Sequence, residues 1–393
     1  MIRSFGRRRC RVIAGDSLRQ NLRFGSRFVT EPLLYPCPRS APDDFVRAIC
    51  EAVHRWNVDL VIPITDEALL PLSRARSSLP ESCQLAAPDA DILEITTNKQ
   101  KTLDLAIRLG VPTPRTAVVA TADEACQQAK PFNWPLVLKP LVSRLYRDGG
   151  TIQTLTVSYA DSLASLEQQM KQFDGRCEVL LQEHVGGAGH GVELLTHEGR
   201  PLAAFQHKRL REVPVTGGAS SLRESVPLDP LLFEYATRLL GDLKWTGLAM
   251  VEFKVGDQGP SLMEINGRVW GSLPLAAHSG IDFAAGLGKL YLDGPPASDV
   301  TPQTRYRIGV RGRNLELDIV WMLAVLIGRR RYPFLPMPRR MAAMQALLGL
   351  LNPTVRFDVL SLRDPLPGLA ELLRIARKLA RKGLAAIPGE PSN

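Results

Sequence analysis

The chain reads as an α/β (α+β) protein with a parallel N-terminal domain, a mixed central domain and a helical C-terminal extension. Three features point there. Short apolar strands alternate with amphipathic helices over the first 95 residues, a β-hairpin at 247–266 carries its charges on one face, and proline-separated helical segments take over after residue 295. At 393 residues there is room for two to three domains. A hydrophobic content of 45% with 23% charged residues is ordinary for a chain with a full core.

In residues 1–96, Ile2–Arg9 reads as the end of a helix and Arg11–Asp16 as a short strand ending in a Gly-Asp turn. Phe45–Trp56 follows with helical spacing (Phe45, Ile49, Val53), and Leu60–Ile64 is a buried strand. The order implies parallel βαβ units, and the chain is expected to begin inside one, without a first strand and glycine loop. In residues 97–295, Thr97 or Asn98 caps a helix whose apolar stripe is Leu103, Ile107 and Leu109, and Gly110 with Pro112 stops it. Residues 113–184 alternate strands with two helices, about Ala122–Ala129 and Ala160–Phe173. Pro135–Pro140 is a strand presenting Lys139, and Glu178–His184 is a strand running into the glycine run 186–191. A hairpin turning at His197-Glu198-Gly199, a polar segment at 206–226 and a helix over Pro230–Leu243 lead to the charged hairpin. In residues 296–393, after the proline-rich linker Asp293–Pro302, helical segments are expected at Leu315–Ile327, Arg340–Leu351 and Leu369–Leu384. The last is basic and amphipathic, with Arg374, Arg377, Lys378, Arg381 and Lys382.

The hairpin carries the chemistry. In GLAMVEFKVGDQGPSLMEINGR the turn Gly256–Gly259 joins two apolar strands. Strand alternation puts Glu264, Asn266 and Arg268 on one face and Met263 and Ile265 on the other, while Glu252 lies between core-facing Val251 and Phe253. Two carboxylates and an amide oxygen from adjacent strands make an all-oxygen site suited to Mg²⁺, or Mn²⁺, with room for phosphate oxygens. An arginine beside it suits an anionic group.

Composition narrows the function classes. A net charge of +9 fits anionic ligands such as nucleotides, or weak attraction to acidic lipid. No basic stripe is interleaved with aromatics, so no nucleic-acid partner is expected. The six cysteines are scattered with no CxxC pair, which argues against zinc and disulfides and favours a reducing cytoplasm. No apolar run reaches the roughly 18–20 residues of a membrane span. Leu315–Gly328 comes nearest and carries Glu316 and Asp318.

These ordered motifs resemble the ATP-grasp superfamily of carboxylate–amine ligases over about residues 1–295. The glutamates of VEF…MEINGR stand twelve positions apart, as in the biotin carboxylase and carbamoyl-phosphate synthetase pattern. The resemblance implies an ATP-grasp domain of two lobes, with a lid subdomain at about 113–184, behind a truncated N-terminal parallel α/β domain. It implies that Glu252, Glu264 and Asn266 hold Mg²⁺ over the ATP phosphates and that Arg268 meets the phosphoryl group or substrate carboxylate. Gly267 stands where the family carries proline. Lys99 and Lys139 match the phosphate-contacting lysines, Glu183 and Val185 the adenine-reading connection, and the lid loop falls at Val142–Gly150 with Arg144, Arg147, Gly149 and Gly150. For the ribose the loop offers His190 and Glu193. Lys208, Arg209 and Arg211 are placed to neutralise phosphate charge, Arg211 also at the reacting centre, and Arg223 to bind a substrate carboxylate. His207 and His278 are expected to be structural.

The implied reaction activates a carboxylate as an acyl phosphate, which an amine attacks to give an amide, ADP and phosphate. Its partners are small-molecule carboxylate and amine substrates, in a cytoplasmic protein for which a homodimer is an expectation. The alternative is a nucleotide-binding scaffold or regulator with little catalysis at a membrane-associated assembly. In that case the C-terminal basic helix touches an acidic membrane at its inner face.

Overall fold

A computed structural model describes residues 1–18, 22–141, 144–146, 152–173, 176–297, 299–328 and 332–382. The N-terminal segment runs α1 (Ile2–Arg7), β1 (Ile13–Asp16), β2 (Glu31–Leu34), α2 (Pro42–Trp56), β3 (Leu60–Val61), α3 (Asp66–Arg74), β4 (Gln84–Leu85) and α4 (Ala90–Thr97). Its pairings are parallel, as expected, but they form two separate two-stranded sheets, β1 with β2 and β3 with β4. Phe45, Ile49 and Val53 of α2 are buried. With Leu69 and Leu72 of α3 and Leu93 of α4 they join a core that continues onto the central sheet.

Asn98 caps α5 (Lys99–Arg108), its Oδ1 accepting from the amides of Gln100 and Lys101 at 3.0 and 3.1 Å. The expected stripe is corrected here. Leu103, Leu105 and Ala106 are buried, whereas Ile107 is 65% exposed, because the helix packs one position round from the reading.

The lid lobe holds β5 (Thr116–Val119), α6 (Ala122–Gln128), β6 (Leu136–Pro140), β7 (Arg144–Tyr146), β8 (Ile152–Thr154), β9 (Ser158–Ala160), α7 (Leu163–Met170) and β10 (Val179–Glu183). An antiparallel sheet in the order β5-β10-β6-β9 packs its apolar residues with those of α6 and α7. The second helix is shorter than expected because Ser158–Ala160 pairs with β6. Beyond the β7 backbone, which pairs with β8, the expected lid loop Val142–Gly150 lies outside the described residues.

The central lobe comprises β11 (Ala188–His197), β12 (Arg200–Val213), β13 (Ala219–Ser225), α8 (Pro230–Asp242), β14 (Gly247–Gly256), β15 (Gly259–Asn266), α9 (Leu273–Ser279) and α10 (Phe283–Leu292). The polar segment at 206–226 forms the hairpin β12–β13, with irregular pairing around Arg209–Glu212. The extension contributes β16 (Arg311–Arg313), α11 (Leu315–Ile327), α12 (Arg340–Leu348), β17 (Val355–Phe357) and α13 (Pro365–Lys382). It is therefore not only helical. Its two strands complete a seven-stranded sheet, β15-β14-β11-β12-β13-β16-β17.

Alternation gives that sheet two unlike faces. Val192, Leu194, Ala204, Val251, Phe253 and Ile265 pack with α8 and the N-terminal helices. On the other face Leu195, Phe205, Leu248 and Met250 pack under α9 and α10. Toward the turn end of β14, polar side chains take over that second face.

Candidate functional site

The metal-type hairpin forms as its sequence implies. Glu252 and Glu264 are directly opposed across β14 and β15, and Met250 opposes Asn266. A β-bulge at Met263 lets Leu262 pair with Phe253. This corrects the expected alternation: Leu262, not Met263, joins Ile265 in the core, and it is the bulge that brings Glu264 to the Glu252 face. The Asn266 amide nitrogen donates to both glutamates at 3.0 Å. Glu252 is 8% exposed. Burial, then the neighbouring Glu264 charge, push its carboxyl up to about 7. Two carboxylates and an amide held this closely suit a divalent cation, which would relieve their repulsion.

The facing wall supplies cations. Lys99, first residue of α5, donates to the Pro140 carbonyl at 3.2 Å. Lys139 on β6 donates to Gln182 Oε1 at 2.6 Å, and Gln182 in turn donates to Thr116 Oγ1 at 2.8 Å. Burial pushes Lys139 down to about 8, and the Glu264 charge pulls against that fall. Lys99 is lowered by the same burial and supported by the same glutamate. The Glu264 charge thus acts on both lysines, and Lys99 reaches the end of the strand that carries Lys139. Residues 184–187 connect β10 of the lid to β11 of the central sheet, and Val185 lies within them. The Glu183 side chain accepts from the Asn133 backbone amide at 2.8 Å, and its own amide donates to the Arg115 carbonyl at 3.0 Å.

The glycine run is not a loose loop. Gly189 and Gly191 lie in β11, on the Glu252 face: Gly191 opposes Glu252 on one side and His207 on the other. A Cβ at Gly189 would stand 2.9 Å from Arg209 Cδ, and one at Gly191 would strike the His207 ring. The missing side chains leave a lane across β11 through which Arg209 of β12 reaches and pairs with Glu252. Arg209 also pairs with Glu212 at 3.2 Å, and Glu212 with Lys254 at 3.0 Å. No single signal in the sequence marks Arg209 as the partner of Glu252, because β13 and α8 separate them in the chain. Glu193 is fully buried and its Oε1 lies 3.0 Å from His207 Nδ1 and accepts from Ser272 Oγ at 2.8 Å. Burial lowers the His207 pKa, and the Glu193 carboxylate pulls against that fall.

Five candidates stand elsewhere than expected. His190 opposes Lys208 on β12 and Phe253 on β14, so strand alternation puts both His190 and Lys208 on the face opposite Glu252. His190 lies 3.1 Å from Gln206 Nε2, and burial lowers its pKa to about 4. Arg211 donates to both oxygens of buried Asp318 at 3.0 Å and lies over the Trp321 ring, which gives it a structural partner in place of a reacting one. Arg268 pairs with Asp66 at the start of α3 at 2.8 Å. That pair is partly exposed and weak enough to exchange. Arg223, on the Glu252 face, is almost fully buried and paired with Asp358. Among the described residues, no group of three or more His, Cys, Asp or Glu is arranged to hold a metal.

Comparison with known proteins agrees with this geometry. Residues 176–312 match the family model described as ATP-grasp in the biosynthetic pathway with Ter operon. A formate-dependent phosphoribosylglycinamide formyltransferase of Ignicoccus hospitalis is 26% identical over 174 residues, 41% of this chain and 40% of that protein. The chain thus spans about two fifths of this curated relative. Among solved structures, the biotin carboxylase–β-γ-ATP complex from Campylobacter jejuni aligns with TM-score 0.61 and 16% identity, covering 79% of this chain and 71% of that one. An L-amino acid ligase from Bacillus licheniformis aligns at 0.57 and 17%, covering 76% and 72%. With the paired acids on β14 and β15 lying inside the matched segment, residues 176–312 are of the ATP-grasp family, and the chain shares the fold of the solved ATP-grasp-like structures.

Proposed function

We propose that this protein is an ATP- and Mg²⁺-dependent ligase that activates a carboxylate as an acyl phosphate for attack by an amine. The observation that carries the reading is the opposition of Glu252 and Glu264, with Asn266 bonded to both. Glu252, Glu264 and Asn266 would hold Mg²⁺, which when bound neutralises phosphate charge during transfer. Arg209 competes with that cation for Glu252. Lys99 and Lys139 fix phosphates from the opposite wall, where partial burial strengthens each contact. The 184–187 connection offers main-chain groups to the base. Arg268, released from Asp66, is in reach of the anionic reactant beside Asn266.

In the reaction, a carboxylate oxygen takes the γ-phosphoryl group and ADP leaves. The amine nitrogen then bonds to the acyl carbon as the C–O bond to phosphate breaks, and the amine gives up a proton. The residues contribute position and charge, not a covalent nucleophile. Titration calorimetry of Mg·ATP into the wild type and Glu264→Gln tests the site. Binding that weakens at least about tenfold in the variant supports it. Unchanged binding in Glu264→Gln removes the metal assignment. Binding without ADP release across a panel of acids and amines would favour the scaffold reading.

A further inference from the structure

The net charge of +9 lies wholly in the extension: residues 296–393 carry sixteen Lys and Arg against seven Asp and Glu, and residues 1–295 are balanced. Within this basic region α13 is packed inside out. The residues it buries are Pro367, Gly368, Glu371 and Ile375, one narrow stripe at four-residue spacing. Glu371 is 3% exposed, and burial pushes its carboxyl up to about 7. On the other side of the helix Leu366, Leu369 and Leu373 recur at i, i+3 and i+7, exposed by 58%, 52% and 59%. Leu372 and Leu379 widen the stripe at 42% and 47%. A helix that only had to pack on its own domain would turn the leucines in and the glutamate out.

What holds α13 in this orientation is polar. Arg374 and Lys378 pair with Glu316 of α11, and Arg3 and Ser26 bond Asp364 just before the helix, both at 2.8 Å. Arg377 is exposed between the leucine stripe and these anchors. A second stripe of the same kind lies on α12, where Met341, Met344 and Leu348 are exposed by 60%, 55% and 72% behind exposed Arg339 and Arg340.

We infer that the leucine face of α13, with α12 beside the same α11 support, docks on an anionic lipid surface. The occupant is chosen by charge. A leucine stripe next to basic side chains matches an interface in which acyl chains lie beneath acidic headgroups. A second copy of the same helix would set cationic flanks against one another. No described helix is long and apolar enough to cross a membrane, so the docking is peripheral.

The test is flotation of the full chain with phosphatidylcholine vesicles, with and without phosphatidylglycerol, at low and high salt. The wild type floats with anionic vesicles and is released by salt. Leu369→Glu/Leu373→Glu lowers the bound fraction at least about tenfold, while Mg·ATP titration on the same sample is unchanged. Arg377→Glu weakens binding several-fold. Absence of wild-type flotation at low salt overturns the inference. So does flotation lost in Arg377→Glu but kept in the leucine variant, which would mean a diffuse ionic attraction. A concentration-dependent dimer abolished by the leucine variant, without vesicle binding, would reassign the face to a second copy. Because the titration reads the nucleotide site separately, failure of this inference leaves the ligase reading standing, and the reverse.

Discussion

Glu252 shows how one side chain carries several constraints. It is buried, opposed by Glu264 and neutralised by Arg209. Because its folded pKa lies above the unfolded value, its contribution to stability is complete below about pH 4.5 and is lost as pH rises through about 7. Denaturant midpoints across this window are expected to fall more in the wild type than in Glu252→Gln. The difference is on the order of 2–3 kcal/mol, most of it without Mg²⁺. A flat difference between pH 5 and pH 8 would show that Arg209 already compensates the charge. The acids were legible in the sequence as charges on an apolar hairpin, which is a local pattern, whereas the two lysines were singled out by the family resemblance. Arg209 was readable as a basic residue near phosphates, but its pairing with Glu252 depends on the β11 lane.

At the scale of elements, glycines decide what can approach what. Gly267 follows Asn266 where the resemblance leads one to expect proline, and a Cβ there would strike the Trp245 ring and come within 3.2 Å of Thr96 Oγ1. Trp245 is fully buried, so it cannot step aside cheaply. Gly267→Pro is expected to destabilise the fold by about 1–3 kcal/mol, read by chemical denaturation. A neutral result would mean that the indole is free to move. The same scale explains the misplaced candidates. The glycine run was read as a loop offering His190, yet it is the first half of β11. Once it pairs, Gly189 and Gly191 face the cleft and His190 faces away. The polar segment 206–226 pairs as the β12–β13 hairpin, and its charges are met from other strands, Arg209 by Glu252 of β14 and Glu224 by Arg311 of β16.

For the whole molecule, the extension is part of the sheet. Asp318 of α11 is fully buried and receives Arg211 at 3.0 Å, Arg313 at 3.1 Å and Ser221 at 3.1 Å, tying α11 to β12, β13 and β16. Asp358, just after β17, pairs with Arg223, and Asp364 holds Arg3 of α1. Asp318→Ala leaves two arginines without their buried counter-charge and is expected to cost about 3–5 kcal/mol. Equilibrium denaturation of the full chain measures it, and a loss below 1 kcal/mol would show that water reaches this cluster. The extension was expected to be mainly helical because β16 and β17 are three residues each, too short to show a period.

The sequence by itself determined the charged hairpin, the capped helix start at Lys99 and the parallel pairing near the N-terminus, while the bulge that opposes Glu252 to Glu264 was decided by the fold. The first three depend on neighbours a few residues apart. Only the tertiary structure decided that Arg211 belongs to Asp318, that His190 and Lys208 face away from the acids, that Ile107 is exposed, and that α13 buries Glu371 beneath a face of leucines. A periodic pattern states which residues share a face. What that face meets is set by contacts across the fold, and those contacts come from segments whose order in the sequence carries no signal of their meeting.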